Sequence, residues 1–245
     1  LYPGEITTSM AFDVLSMGVG SDGASGFPLV GVYLTGKELK AAAEVDASVT
    51  PLMPAAQLYM AGMDYSFNIH RMFFNRVTEA RLHREISAEV SPGNVVTKSV
   101  FDDIEDDQLY RVVTGMYSAQ MLSTVKSKSL GLLSLEPKMA DGSPVTDFEA
   151  CILRDENGSE IKEWYALAAY LRSFGEKGIP LEYTVSDGRK DVSRSWNPIE
   201  LVKNPNWITL VTLVVLAAAA ILAFFLVRAL RYAHRRRRYG KKKNL

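Results

Sequence analysis

Three histidines, one cysteine and 28 acidic residues are what this 245-residue chain offers for a metal or nucleophilic centre. Their spacing does not form one. His70 and His83 stand apart with no acidic companion at ligand spacing, and His234 lies in a basic tail, so neither H-E-x-x-H nor a clustered Asp/His/Asn set appears. Cys151 falls in an apolar run, residues 148–154, that reads as a strand, where a small buried hydrophobe is expected rather than a nucleophile. Asp102, Asp103, Glu105, Asp106 and Asp107 form an acidic turn without the spacing or the glycine of a calcium loop, so a solvated loop is expected there. G-x-S-x-G, P-loop and G-x-G-x-x-G patterns are missing, and Gly18-Val-Gly20 is too short to stand for one. Asn157-Gly-Ser159 is formally a glycosylation sequon, but a turn followed by a capping serine accounts for it. The sequence therefore carries no complete catalytic set and no cofactor site, and any catalysis is expected from residues upstream of Leu1.

The elements that would position side chains follow from periodicity. A short apolar run at residues 30–34 precedes Thr35-Gly-Lys-Glu38, in which Thr35 can cap the helix and Glu38 can reach back, predicting a helix to about Val45 with Leu39, Ala42 and Ala43 inward. Residues 58–63, 65–68, 76–82, 109–114, 129–135 and 148–154 are β-leaning, with turns at Asp141-Gly142 and at 155–158. Ser159 is placed to cap a helix over residues 160–174. There Ile161, Trp164, Leu167, Ala168, Leu171 and Phe174 recur at three and four residues, and Gly175 stops it. Phe73 and Phe74, beside Arg71 and Arg76, suggest an exposed aromatic and basic cluster. Strands and helices mix without strict alternation, so the fold class is α+β (mixed α/β).

The neutral composition conceals two opposite charges. All 28 acids but only nineteen of the 28 bases lie in residues 1–206; the remaining nine bases, and no acid, follow Trp207. Between them residues 207–227 carry no charge, and at 1.5 Å per residue such a helix is about 31 Å long, the thickness of a bilayer core. A single transmembrane helix is expected, with Trp207 and Tyr232 at the two interfaces, residues 228–245 as a basic cytoplasmic tail and the acidic part outside the cell. The lipid bilayer is thus the first expected partner. Nucleic acid is not expected, because the acidic outer part repels phosphate backbones. The chain begins Leu-Tyr-Pro with no export signal, so a preceding region is expected, and export without a disulfide suits a bacterial cell membrane.

Five stretches in order resemble the C-terminal domain of the 5′-nucleotidase and UDP-sugar hydrolase family. They are Gly4-Glu-Ile-Thr7 with Phe12-Asp-Val-Leu15, Val32-Tyr-Leu-Thr-Gly-Lys-Glu-Leu39, Met60-Ala-Gly-Met63 with Tyr65, Arg76-Val77, and Tyr110-Arg-Val-Val-Thr114. The resemblance implies a fold of that type over residues 1–176, followed by a stalk, residues 177–206. It also implies the substrate-recognition half of an exported phosphoesterase whose divalent metal pair sits in a preceding metallophosphoesterase domain. In that family two aromatic side chains sandwich the base of a nucleotide. The matching positions are Met17, where the family has Phe, and Tyr117; the glycine loop that follows the second aromatic is replaced by Gln120-Met-Leu-Ser-Thr124. Met17 and Tyr117 could hold a base or could fill core, and a non-catalytic surface module that keeps the fold is the alternative function.

Overall fold

A computed structural model describes residues 4–242 apart from 55–56, 92–93, 129–133, 176–177 and 187, and divides the chain into units Leu1–Ser195 and Trp196–Leu245. The first unit is mixed α/β. Strand β1 (Leu29–Thr35) pairs antiparallel with β5 (Leu109–Gly115), Val32 opposite Val112. A second sheet has the order β4 (Asn94–Asp103), β3 (Val77–Ser91), β2 (Met63–Asn68), β6 (Lys190–Ser193); its pairs are antiparallel except β2 with β6.

Helix α1 (Thr8–Leu15) is capped by Thr7, whose hydroxyl accepts from the Met10 amide at 3.3 Å. Helix α2 (Gly36–Val49) forms the expected capping box: Thr35 Oγ1 accepts from the Glu38 amide at 3.3 Å, and Glu38 Oε2 accepts from the Thr35 amide at 2.8 Å. It runs four residues past the expected end and is buried nearly all round. Ala43 and Ala47 pack on Met63, Tyr65, Phe67 and Ile104, whereas Ala42 and Val45 pack on Leu135. Its buried carboxylates are satisfied. Glu44 accepts from the amides of Arg76 (2.7 Å) and Val77 (2.8 Å), and Asp46 accepts from the Tyr65 hydroxyl (2.5 Å), the Leu58 amide (3.0 Å) and Lys190.

Several expectations are corrected. The stretch from residue 177, expected as a stalk, supplies β6, which joins β2 and sends Lys190 to Asp46; a four-residue strand is too brief for periodicity to reveal. Asp102 and Asp103 belong to strand β4, which hairpins with the long β3, and the acidic turn proper is residues 104–108. Residues 58–62 are not a strand; β2 starts at Met63, after Gly62 at φ +81°. Cys151 ends a 3₁₀ turn, Glu149–Cys151, rather than lying in a strand, and only Ile152 and Arg154 of that run make isolated bridges. It is buried, as expected, and burial together with the charge of Asp147 pushes its thiol up. Phe73 and Phe74 sit in a turn, not an exposed patch: Arg71 is buried and donates to the Asn75 carbonyl at 2.7 Å, and Arg76 lies over the Phe73 ring. The strand expected at 129–135 falls largely outside the described residues.

The helix expected from residue 160 begins at Glu163 (α4, Glu163–Ser173) and Ser159 does not cap it. Tertiary pairing wins over local propensity here: Ile161 donates to Leu153 (2.9 Å) and accepts from Leu29 (2.8 Å), which keeps residues 160–162 extended. In the second unit, Asn197 and Pro198 open α5 (Pro198–Val202). Asn206 then caps α6 (Trp207–Lys242) by accepting from the Thr209 amide at 3.0 Å. Residues Trp207–Tyr232 of α6, which contain an 18-residue stretch of mean hydropathy 3.0, are long and apolar enough to cross a membrane.

Candidate functional site: an exposed aromatic stack

Residues 17–27 form a small hairpin, closed by the amide of Phe27 on the Met17 carbonyl (2.9 Å) and of Gly26 on the Gly18 carbonyl (2.9 Å). Gly18 has φ +81°, and a Cβ there would fall 2.4 Å from the Phe27 ring, so the ring lies directly against the backbone. On Phe27 stacks Tyr117, with centroids 5.7 Å apart and planes 23° from parallel. Tyr117 is brought there by β5, whose end leads without a loop into α3 (Met116–Lys128); the Met116 amide donates to the Pro28 carbonyl at 2.9 Å.

Met17 is 78% and Tyr117 51% exposed, so neither fills a core. The structure sets Tyr117 against Phe27, and Met17 beside Gly18 on the hairpin that carries Phe27. Phe27 is the member that sequence reasoning missed; the glycines on either side of its hairpin, Gly18 and Gly26, were the available signal.

The start of α4 clamps this hairpin. Lys162, at the end of the extended stretch, holds Asp22 Oδ1 at 2.7 Å and Glu160 Oε2 at 2.6 Å, while Ser21 donates to Glu160 Oε1. Gly20 leaves the room, since a Cβ there would come 2.0 Å from both Glu160 Oε2 and Lys162 Nζ. Trp164 Nε1 donates to the Ser25 carbonyl at 3.1 Å and its ring packs edge-on to Phe12 of α1. The hydrogen bond from Lys162 holds the Asp22 carboxyl below its ordinary value. Burial would raise Glu160 and lower Lys162, but their mutual contact, with Ser21 and Asp22, reverses both directions.

His83 has an acidic companion after all. Across the β2–β3 ladder its Nδ1 lies 3.1 Å from Asp64 Oδ1, a diagonal pair that sequence spacing cannot show, and its ring packs on Phe101. Nearby, Asp64, Ser66, Glu79 and Arg81 line a small depression of about 210 Å³, in which Arg81 is engaged by Glu79. Among the described residues no three His, Cys, Asp or Glu side chains gather as a metal site. The donor set of the described residues does not fit a dinuclear centre.

The first unit is therefore a mixed α/β fold with a two-stranded ladder, a capped helix α2 and the Phe27–Tyr117 stack. Residues 1–124 match the family model "5′-nucleotidase, C-terminal domain", and the chain belongs to that family. Comparison with curated proteins gives no match. Among solved structures the chain is similar to the 5′-nucleotidase precursor of Thermus thermophilus, at 20% identity over 78% of this chain and 28% of that one, with a TM-score of 0.47. It is also similar to the NAD nucleotidase of Haemophilus influenzae, at 16% identity over 79% of this chain and 27% of that one, with a TM-score of 0.44. The chain thus spans little more than a quarter of each.

Proposed function

We propose that this chain is the substrate-recognition part of an exported, membrane-anchored 5′-nucleotidase-like phosphoesterase that hydrolyses nucleotides or related phosphate esters. The observation that carries this reading is the Phe27–Tyr117 stack, exposed at the rim of a domain of the 5′-nucleotidase C-terminal family. A flat heterocycle has a ready surface on the half-exposed Tyr117 ring, and Met17 on the adjacent hairpin supplies a polarisable thioether that can pack on it. The catalytic metal pair belongs to a preceding domain, because acids and a histidine that could serve here are committed elsewhere: Asp46 and Glu160 to lysines, His83 to Asp64. The α6 segment Trp207–Tyr232 anchors the protein, Trp207 and Tyr232 at the interfaces, with the nine bases on the cytoplasmic side and the acidic domain outside.

The test is calorimetric titration of the full chain in detergent with nucleoside monophosphates. Tyr117→Ala is expected to weaken affinity about fivefold to tenfold, the size of one lost base–aromatic contact. Unchanged affinity removes Tyr117 from the site. For the enzyme itself, the reading frame upstream of Leu1 is expected to encode D-x-H and G-N-H-[DE] metal motifs, and a frame without them returns the chain to a second reading. That second reading, a non-catalytic anchored interaction module, is favoured by one observation. Helix α3 (Met116–Lys128) runs on through residues 120–124, where the family places a glycine loop behind its second aromatic.

A further inference from the structure

Glu163, the first residue of α4, has a defined place but, among the described residues, no partner for its carboxylate. Its amide donates to the Phe27 carbonyl at 3.1 Å, and its carboxylate lies across Gly115, two residues before Tyr117. A Cβ on Gly115 would come 1.4 Å from Glu163 Oε1, so the carboxylate packs directly against the Gly115 backbone. Glu163 therefore meets the backbone on both sides of the stack, at the Phe27 carbonyl and at Gly115 two residues before Tyr117. The neighbouring Glu160 is sealed from solvent and saturated by Lys162 and Ser21. Glu163 is half-buried, and among the described residues nothing donates to either oxygen. Neither oxygen is among the fully enclosed atoms of the described residues. Burial alone pushes its carboxyl above the ordinary value. A partly desolvated carboxylate without a donor is a cost that a ligand donor would relieve.

The chemistry of the missing donor follows from the shape of the acceptor. A carboxylate offers two parallel acceptors, and bidentate charge-assisted pairing needs two adjacent N–H groups in one plane. On the edge of a base stacked at Tyr117, guanine presents that pair as N1–H and N2–H. Adenine and cytosine place a bare ring nitrogen beside their amino group, and its lone pair faces the second carboxylate oxygen. Hypoxanthine and uracil offer one ring N–H on that edge, flanked by carbonyl oxygen or C–H. We propose that Glu163 is a specificity-determining residue that selects guanine, accepting from N1–H and N2–H of a base held on the Phe27–Tyr117 stack. This rests on the reading above that the stack takes a nucleotide base. Glu163 lies outside residues 1–124, the part that the family model matches.

The experiment is isothermal titration of the full chain, in detergent at neutral pH, with GMP, IMP and AMP, repeated with Glu163→Gln. Gln keeps the volume of Glu, and the thermal midpoint of the variant checks its folding. GMP is expected to bind at least about tenfold more tightly than AMP, with IMP between, and Glu163→Gln is expected to bring GMP within about twofold of AMP while leaving AMP unchanged. Equal affinities in the unsubstituted chain, or a GMP preference that survives Glu163→Gln, overturns the assignment while leaving base binding intact. A preference for AMP that grows as pH falls also overturns it, since a protonated Glu163 would then be donating to adenine N1. Binding of none of the three overturns the base-binding reading itself, and the assignment falls with it.

Discussion

Lys190 and Lys162 each end on a buried carboxylate, yet the two networks serve different parts of the molecule. Around Lys190, Asp46 lies with its side chain wholly buried and is filled by the Tyr65 hydroxyl, the Leu58 amide and the lysine, so α2, β2 and β6 are tied into one core. Burial and the adjoining Asp46 charge drive the Tyr65 phenol well above its usual range, which keeps it a donor at every physiological pH. Around Lys162, Glu160 is equally buried, but Asp22 is a third exposed and the far end of the network is a surface hairpin. The first network holds the second sheet to α2 and supplies nothing to the aromatic stack. The second holds the hairpin that carries Phe27 and Met17. The same chemistry fixes a core in one place and aims a surface in the other, which predicts that breaking one costs stability and breaking the other costs recognition.

The largest effect is expected from Asp46→Ala. It removes the acceptor of a buried hydroxyl, a part-buried amide and a part-exposed lysine together, a loss of about 3 kcal/mol. The denaturant midpoint of the full chain in detergent checks this, and nucleotide affinity measured on the folded fraction is expected to stay within about twofold of the unsubstituted protein. A variant of unchanged stability would show that Asp46 is not what holds β6 to the domain.

Next comes Glu160→Gln. The substitution keeps the Ser21 contact but leaves Lys162, only 5% exposed, with Asp22 as its single carboxylate. A stability loss of about 1–2 kcal/mol is expected. The sharper readout is affinity, which should fall about threefold to tenfold as the hairpin loosens beneath Phe27. Stability and affinity lost in the same proportion as in Asp46→Ala would erase the contrast between the two networks.

The legibility of these two regions differs for a physical reason. The capping box at Thr35, the apolar run of β1, the apolar span in α6 and the family motifs of residues 1–124 depend on neighbours in sequence, and all could be read directly. Tyr117 stands out only through the resemblance, and Met17 likewise. The partners that give the site its form were not legible, because each is set by contact across more than a hundred residues: Ser21 with Glu160, Asp22 with Lys162, Ser25 with Trp164. A helix over 160–174 is a fair expectation from periodicity, and it fails in its first turn, where the chain spends Glu160, Ile161 and Lys162 on pairing and charge instead. Strand β6 escapes for a similar reason, since its four residues gain their conformation from β2 rather than from their own pattern.

The smallest effect is expected from acid, and its sign follows from the directions of the shifts. The Lys162 hydrogen bond holds Asp22 below its ordinary 3.8, and in Glu160 the contacts of Lys162 and Ser21 outweigh burial and hold it below 4.5. Carboxyls lowered by folding contribute stability that is complete above those ordinary values and is lost as pH falls through the lowered ones. Lys162 is raised above 10.5, so its share is complete below that value and disappears only as pH rises beyond it. The hairpin should therefore be insensitive to pH between the two limits and should loosen only below about pH 4, as the amide exchange of Gly26 and Phe27 would record. Because Asp22 faces water, raising salt from about 0.05 M to about 0.5 M should hasten that exchange slightly, while the Leu58 amide on buried Asp46 stays protected. Equal salt sensitivity at both places would mean that the Lys162 network is no more open to solvent than the Lys190 one, and the division between a core-fixing and a surface-aiming ion pair would fail.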